Sequence, residues 1–286
     1  MTVINTNSAA TVTANALSRN ERAMATAMER LSTGQRINSA ADDAAGLAIS
    51  SKMTSQINGL NQAVRNANDA ISMIQTADGA AIEVTDMLQR MRELAVQAAT
   101  GTNSSSDVTA LNTEFVALRS QIDDIGSDTQ WNGSNLLDGT AGDFGKVTFQ
   151  VGANASQTID VNFRDWNVGA TVQAFVSGSK AHDAFANDIS SLAVNTSGVI
   201  TTLDSVIAEV NSTRSELGAT INRLEYATDN LANVSQNAEA SRSRILDANY
   251  ASESTELART QIIQQAATAM LAQANSQKQS VLALLK

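Results

Sequence analysis

The sequence predicts a mainly α protein: long antiparallel coiled-coil helices from its two ends, with a small β-hairpin element in the middle. Three observations carry this. Apolar residues recur at seven-residue spacing over two long stretches, the 286-residue chain has no proline, and aromatics make up only 3%. Proline stops helices, so its absence removes the commonest reason for one to end. An Ala-, Leu-, Ile- and Val-rich chain with few rings suits narrow helix–helix seams, where small side chains let backbones approach.

The clearest row lies towards the C-terminus: Leu203, Val210, Leu217, Leu224, Leu231, Ala238 and Ile245. Val206, Ile207, Ile221, Ala227 and Val234 add a second stripe three or four residues on. Together they make a heptad seam, expected as one helix of ~60 Å at the standard rise. A matching row precedes it in the N-terminal half: Leu60, Ala67, Ile74, Ala81, Leu88 and Ala95, flanked by Ile57, Val64 and Ile71. That helix is expected to end near Thr100-Gly101, because glycine favours a stop. Ser104-Ser105-Ser106-Asp107 then offers N-cap oxygens to a third helix, which puts Leu111, Phe115, Leu118, Ile122 and Ile125 on one face.

The pattern changes at Trp131-Asn132-Gly133, since Asn-Gly is a strong turn signal. Beyond it Val147, Phe149 and Val151 alternate with polar residues, as do Ile159, Val161 and Phe163. Residues 152–157 between them read as a hairpin connection. The stretch from Asp165 to Thr202 is ambiguous. The two ends, Ala9 to Leu31 and Leu257 to Ala274, are Ala-rich and helical in pattern but thinly apolar. Met24, Met28 and Leu31 are expected on one face, and Ile263, Ala267, Met270 and Leu271 on another. Each stripe is too weak to hold an isolated helix in water, so the ends need each other, or neighbouring subunits.

Composition narrows the function. A net charge of -10 and a pI near 4.6 leave no cationic footprint for nucleic acid. Without cysteine there is no disulfide or thiolate metal site. The sole histidine, His182, sits in Ser179-Lys180-Ala181-His182-Asp183 with no nucleophile-elbow motif nearby, and reads as an exposed loop residue. The acidic pairs Asp42-Asp43 and Asp123-Asp124 are adjacent, so on a helix they point about 100° apart and do not converge on one atom; they read as caps or solvated faces. The expectation is a protein that is not an enzyme, with no catalytic residues, metal ligands or cofactors. Residues 1–7 lack the basic and apolar regions of a secretory signal, and no apolar run approaches the ~20 residues of a membrane span. Composition alone makes the cytoplasm the default compartment.

Leu88-Gln89-Arg90-Met91-Arg92-Glu93-Leu94 supports two readings: the charged flank of a heptad helix, with local Glu–Arg pairs, or a partner-contact surface, because Arg is favoured at interface hot spots. The charged flank is the stronger reading on these residues alone.

Several ordered motifs are similar to one family. Val3-Ile4-Asn5-Thr6-Asn7 and the run from Glu29 through Leu31-Ser32-Thr33-Gly34 and Ala40-Ala41-Asp42-Asp43 to Gly46 resemble the N-terminal signature of bacterial flagellin. So do Leu88 to Gln97, Ser241-Arg242-Ser243-Arg244-Ile245-Leu246-Asp247, Ala272-Gln273-Ala274-Asn275, and the ending Val281 to Lys286. The resemblance covers roughly residues 1–165 and 200–286. It implies a short flagellin with an inner domain of terminal helices, 1–45 with 247–286. A helical rod domain, 46–246, would carry the hairpin region at about 130–190, and no large outer domain follows. It further implies a structural subunit that self-polymerises into the flagellar filament for swimming motility. Such a subunit leaves the cell unfolded through the flagellar type III apparatus, which replaces the cytoplasmic default with a secreted, extracellular location. Implied partners are copies of itself, an export chaperone, the filament cap, hook-associated proteins and host Toll-like receptor 5. On the family pattern Gln89, Arg90, Leu94 and Glu114 match the subunit-packing and receptor-contact positions. Leu282, Leu284 and Leu285 match C-terminal leucines used in assembly and read by cytosolic sensors. Two rivals are a hook–filament junction protein, which resembles flagellin less across Leu88 to Gln97, and a signalling coiled coil, which needs unbroken heptads through Trp131 to Phe163.

Overall fold

The structure, a computed structural model, describes residues 7–143, 145–164, 166, 194 and 198–283, with side chains through 276. Among these, five long helices account for most of the chain: α1 Ser8–Thr33, α2 Ala44–Ala98, α3 Ser105–Asp128, α4 Val199–Leu246 and α5 Tyr250–Ala283. Two small antiparallel pairs lie between α3 and α4: β1 Gln130–Trp131 with β2 Ser134–Asn135, and β3 Lys146–Gln150 with β4 Thr158–Asn162. The protein is mainly α with a small β element, as the heptads and the proline-free chain predict. His182 and most of the ambiguous stretch lie outside the described residues.

The helix ends follow from local chemistry. Gly34 closes α1 in the left-handed conformation (φ 71°), its N–H bonding Arg30 O at 2.9 Å, which glycine reaches without a Cβ clash. Asp43 accepts from the Gly46 N–H at 2.8 Å and so caps α2, while Asp42 Oδ2 accepts from the Asn38 and Ser39 N–H groups and the Ser39 hydroxyl. The Asp42-Asp43 pair is therefore a capping device. Ser104 caps α3 in a reciprocal box with Asp107: the serine Oγ accepts from the Asp107 N–H, and the carboxylate accepts from the Ser104 N–H.

The chain forms two compact units, Asn58–Ser235, and Met1–Ile57 with Gln236–Lys286. In the first, α2 and α4 supply the predicted rows. Leu60, Ala67, Ile74, Ala81, Leu88 and Ala95 are all buried, as are Leu203, Val210, Leu217, Leu224 and Leu231. Phe115 and Ile122 of α3 enter the same core, with Leu136, Leu137, Ile159, Val161, Phe163 and Trp166 from the β region. The β3–β4 register pairs Val147 with Val161 and Phe149 with Ile159, so the alternating apolar residues meet across the strands. Polar links tie α2 to α4 along this seam: Arg214 Nε to Asp78 Oδ1 at 2.9 Å, and Ser235 Oγ to Asn61 Oδ1 at 2.9 Å.

One expectation shifts. Val234 is exposed while Ser235 is buried. A straight helix turns 3.6 residues per turn and drifts ~20° per heptad from a strict seven-residue repeat. By the fifth repeat of α4 the inward position has moved one residue on, and it is filled by a serine that satisfies its hydroxyl on Asn61.

In the other unit α1 pairs with α5. The inward row of α1 is Thr13, Leu17, Asn20, Met24, Ala27 and Leu31; that of α5 is Glu253, Leu257, Thr260, Gln264, Ala267 and Leu271. The expected stripes divide between the seam and the surface: Met24, Leu31, Ala267 and Leu271 turn inward, whereas Met28 is 55% exposed, Ile263 38% and Met270 64%. The 3–4–3–4 spacing that closes a two-helix seam puts Asn20 and Thr260 inward beside Leu17, Met24, Leu31, Leu257 and Leu271, and leaves Met28, Ile263 and Met270 outside.

Candidate interaction surfaces

Two surfaces stand out, one on each unit. On the terminal pair, the few inward side chains are pinned by polar cross-links. Asn20 Nδ2 donates to Thr260 O at 2.7 Å, and Tyr250 Oη donates to Leu31 O at 2.8 Å. Arg30 pairs with Glu253 at 3.2 Å, and Asn7 Nδ2 donates to Ala274 O at 3.3 Å. As the α1 partner advances from 7 to 31, the α5 partner retreats from 274 to 250, so every link enforces one antiparallel register. The connecting loop joins in. Arg36 N–H donates to Leu246 O at 2.7 Å, Ala248 N–H to Gly34 O at 2.9 Å, and the Arg36 guanidinium to Ile245 O at 2.8 Å. The outer faces of the pair carry Val12, Met28, Ile262, Ile263 and Met270, all exposed. Leaving such side chains in water forfeits ~1.5–3 kcal/mol each relative to full burial.

On the other unit, the charged segment of α2 meets α3. Arg90 Nε donates to Glu114 Oε1 at 2.9 Å and its Nη1 to Glu93 Oε2 at 3.0 Å. All three side chains are about half exposed or more, so the pairs add only ~0–1 kcal/mol to stability; they fix where the guanidinium sits. Gln89 is exposed, at heptad spacing from the exposed Ile82 and Val96. Leu94 is 1% exposed and belongs to the core. The structure therefore joins Arg90 to Glu114 at the surface, leaves the adjacent Gln89 exposed, and buries Leu94 in the core, away from any partner's direct reach. Leu284 and Leu285 lie outside the described residues, as does the Leu282 side chain.

Sequence reasoning missed the partners that come from distant helices. Arg92 binds Asp204 and Arg164 binds Glu209, pairs that only the folded chain brings together. Asn20 was findable, because it sits at a core position between Leu17 and Met24. Among the described residues there is no group of His, Asp or Glu arranged to hold a metal, and no helix is long and apolar enough to cross a membrane.

Comparison with known proteins agrees. Residues 4–142 match the bacterial flagellin N-terminal helical region and residues 200–285 the bacterial flagellin C-terminal helical region. A flagellin of Halalkalibacterium halodurans is 47% identical over 91% of both chains, and a flagellin of Bacillus subtilis 44% identical over 99% of both. The crystal structure of Bacillus cereus flagellin superposes with a TM-score of 0.48 at 30% identity, covering 58% of this chain and 88% of that one. The chain belongs to the bacterial flagellin family: it is a structural filament subunit and not an enzyme.

Proposed function

We propose that this chain polymerises with copies of itself through its terminal helices, building a secreted filament that serves swimming motility. The observation that carries this is the inversion of the α1–α5 pair. Its inner seam is thin and partly polar, while Val12, Met28, Ile262, Ile263 and Met270 lie exposed on the outside. A two-helix pair with that arrangement can bury this outer apolar set only against other subunits. On this reading 1–45 with 247–286 act as the inner assembly domain, and 46–246 as the rod that packs around it. Leu282, Leu284 and Leu285 extend the apolar contacts of α5.

Export through the flagellar type III apparatus in an unfolded state belongs to the same reading, with an export chaperone, the filament cap and hook-associated proteins as successive partners. The chain has neither proline nor cysteine, so neither slow prolyl isomerisation nor disulfide exchange delays its unfolding and refolding. On the rod, Gln89, Arg90 and Glu114 form the patch proposed to meet neighbouring subunits or Toll-like receptor 5, with Leu94 supporting it from below.

Seeded polymerisation of purified monomer, followed by negative-stain electron microscopy, tests the central claim. Long filaments that keep growing from their own fragments are expected. Soluble rods, or short stubs that stop growing, would overturn the propulsive reading in favour of a junction protein.

A further inference from the structure

The sequence contains Asn-Gly twice, at Asn58-Gly59 and Asn132-Gly133, and the fold treats the two in opposite ways. Asn132 and Gly133 are the two-residue loop between β1 and β2, whose register pairs Trp131 with Ser134 and Gln130 with Asn135. Both have positive φ, 49° and 79°, as a type I′ hairpin turn requires. Both are exposed. No described hydrogen bond engages the Asn132 side chain or the Gly133 N–H, and nothing lies within 4 Å of where a Gly133 Cβ would be. Asn58-Gly59 lies inside α2. There the Gly59 N–H is an interior helix donor, and Ala153 Cβ stands 3.1 Å from where a Gly59 Cβ would be.

We propose that Asn132 is a site of spontaneous, structure-directed deamidation, and that the helix protects Asn58. The Gly133 nitrogen attacks Asn132 Cγ; the N–C bond forms, ammonia leaves, and a five-membered succinimide results. Water then opens the ring at either carbonyl, giving aspartate or isoaspartate, so the net change is gain of water and loss of ammonia. The attack needs a free glycine nitrogen next to an unhindered carboxamide, held within reach by the chain itself. The hairpin offers both. In α2 the nitrogen is engaged until the helix opens locally.

The products differ in consequence. Either one adds a negative charge to a chain already at -10, but aspartate keeps the backbone path. Isoaspartate routes the backbone through the β-carbon and adds a methylene to a loop of two residues. The positive-φ pair no longer fits, and the register that delivers the buried Leu136 and Leu137 to the core loosens. The turn is thus a chemical record of the age of a subunit.

The test is to hold the full-length chain in mildly alkaline native buffer and follow both sites by peptide mass mapping that separates aspartate from isoaspartate. Under native conditions Asn132 is expected to convert at least about tenfold faster than Asn58, the ratio that a helix-opening cost of only ~1.4 kcal/mol produces. In denaturant the ratio should fall towards one. Equal native rates would overturn the proposal, as would a ratio that survives denaturant, because flanking sequence rather than fold would then set it. Aspartate without isoaspartate at 132 would also overturn it, because direct amide hydrolysis bypasses the ring.

Discussion

The α2–α4 seam and the α1–α5 pair use the same geometry for opposite ends. Along α2–α4, Leu60, Ala67, Ile74, Ala81 and Leu88 face Leu203 to Leu231, and α3 and the β region close the remaining side. The two principal rows are covered within the chain. Along α1–α5 the inward rows hold Asn20, Thr260 and Gln264 among Leu17, Met24, Leu31, Leu257 and Leu271, which are only half-buried, and a second set of apolar side chains points out. The first seam is stable by burial. The second is specified by hydrogen bonds and left short of burial, which is what a subunit needs if its ends are to be completed by other subunits. Register without stability is the useful combination there, since polar groups at a helix interface select one alignment at a cost in stability.

The largest effect should come from removing one buried side chain on each side of this comparison. Ile74→Ala deletes a fully buried isoleucine and should cost ~2–5 kcal/mol in urea unfolding. Leu17→Ala, in the half-buried row of α1, should cost the monomer less than about 1 kcal/mol yet impair polymerisation. Equal losses in the monomer would mean the two seams do not differ in kind.

A smaller effect is expected from Asn20→Leu. It removes the hydrogen bond to Thr260 O, worth ~0.5–1.5 kcal/mol, but adds apolar surface, so monomer stability should change little. Register should suffer instead. Spin labels at the exposed Val12 and Met270 should give one distance in the wild-type filament and a broadened or second distance in the variant. A single unchanged distance would show that Asn20 does not set the alignment.

How far these features could be read in advance divides along the same line. The α2 and α4 rows were legible to within a residue, because a seam closed inside the chain writes its heptads plainly. The exception, Ser235 for Val234, came from accumulated helix drift, which a fixed seven-residue count ignores. The α3 cap was legible as Ser104 with Asp107. On the terminal helices the stripes were only half legible: Met28, Ile263 and Met270 were grouped with Met24, Leu31, Ala267 and Leu271 on one face, whereas the 3–4 spacing turns them out and puts Asn20 and Thr260 inward. The Arg90–Glu114 contact joins two of the residues picked out by resemblance. Arg92–Asp204 and Arg214–Asp78 could not be read, because each joins residues more than a hundred positions apart.

The smallest effect is with acid; Asp42 in the terminal unit is held low by its Ser39 and Asn38 hydrogen bonds, and the carboxyls that can be followed by fluorescence lie in the other unit. The Asp107 carboxyl is held below its ordinary value of 3.8 by the Ser104 hydroxyl and then the Ser104 N–H. Lys146 and then Thr148 do the same for Asp160, and Arg92 does so for Asp204. All three lie in the unit 58–235. A depressed carboxyl binds fewer protons folded than unfolded, so its contribution is complete above the ordinary value and is lost as pH falls through the folded one. The net charge also shrinks towards the pI near 4.6, which relieves self-repulsion, so the loss should emerge only below that pH. Both tryptophans, Trp131 and Trp166, lie in this unit, and their fluorescence reports its unfolding separately from total helicity. The urea midpoint seen by tryptophan should fall between about pH 4.5 and 2.5, and in Ser104→Ala, which removes the first cause of the Asp107 shift, it should fall less steeply. A midpoint that rises on acidification would reverse the sign and show that relief of charge repulsion outweighs these carboxylates.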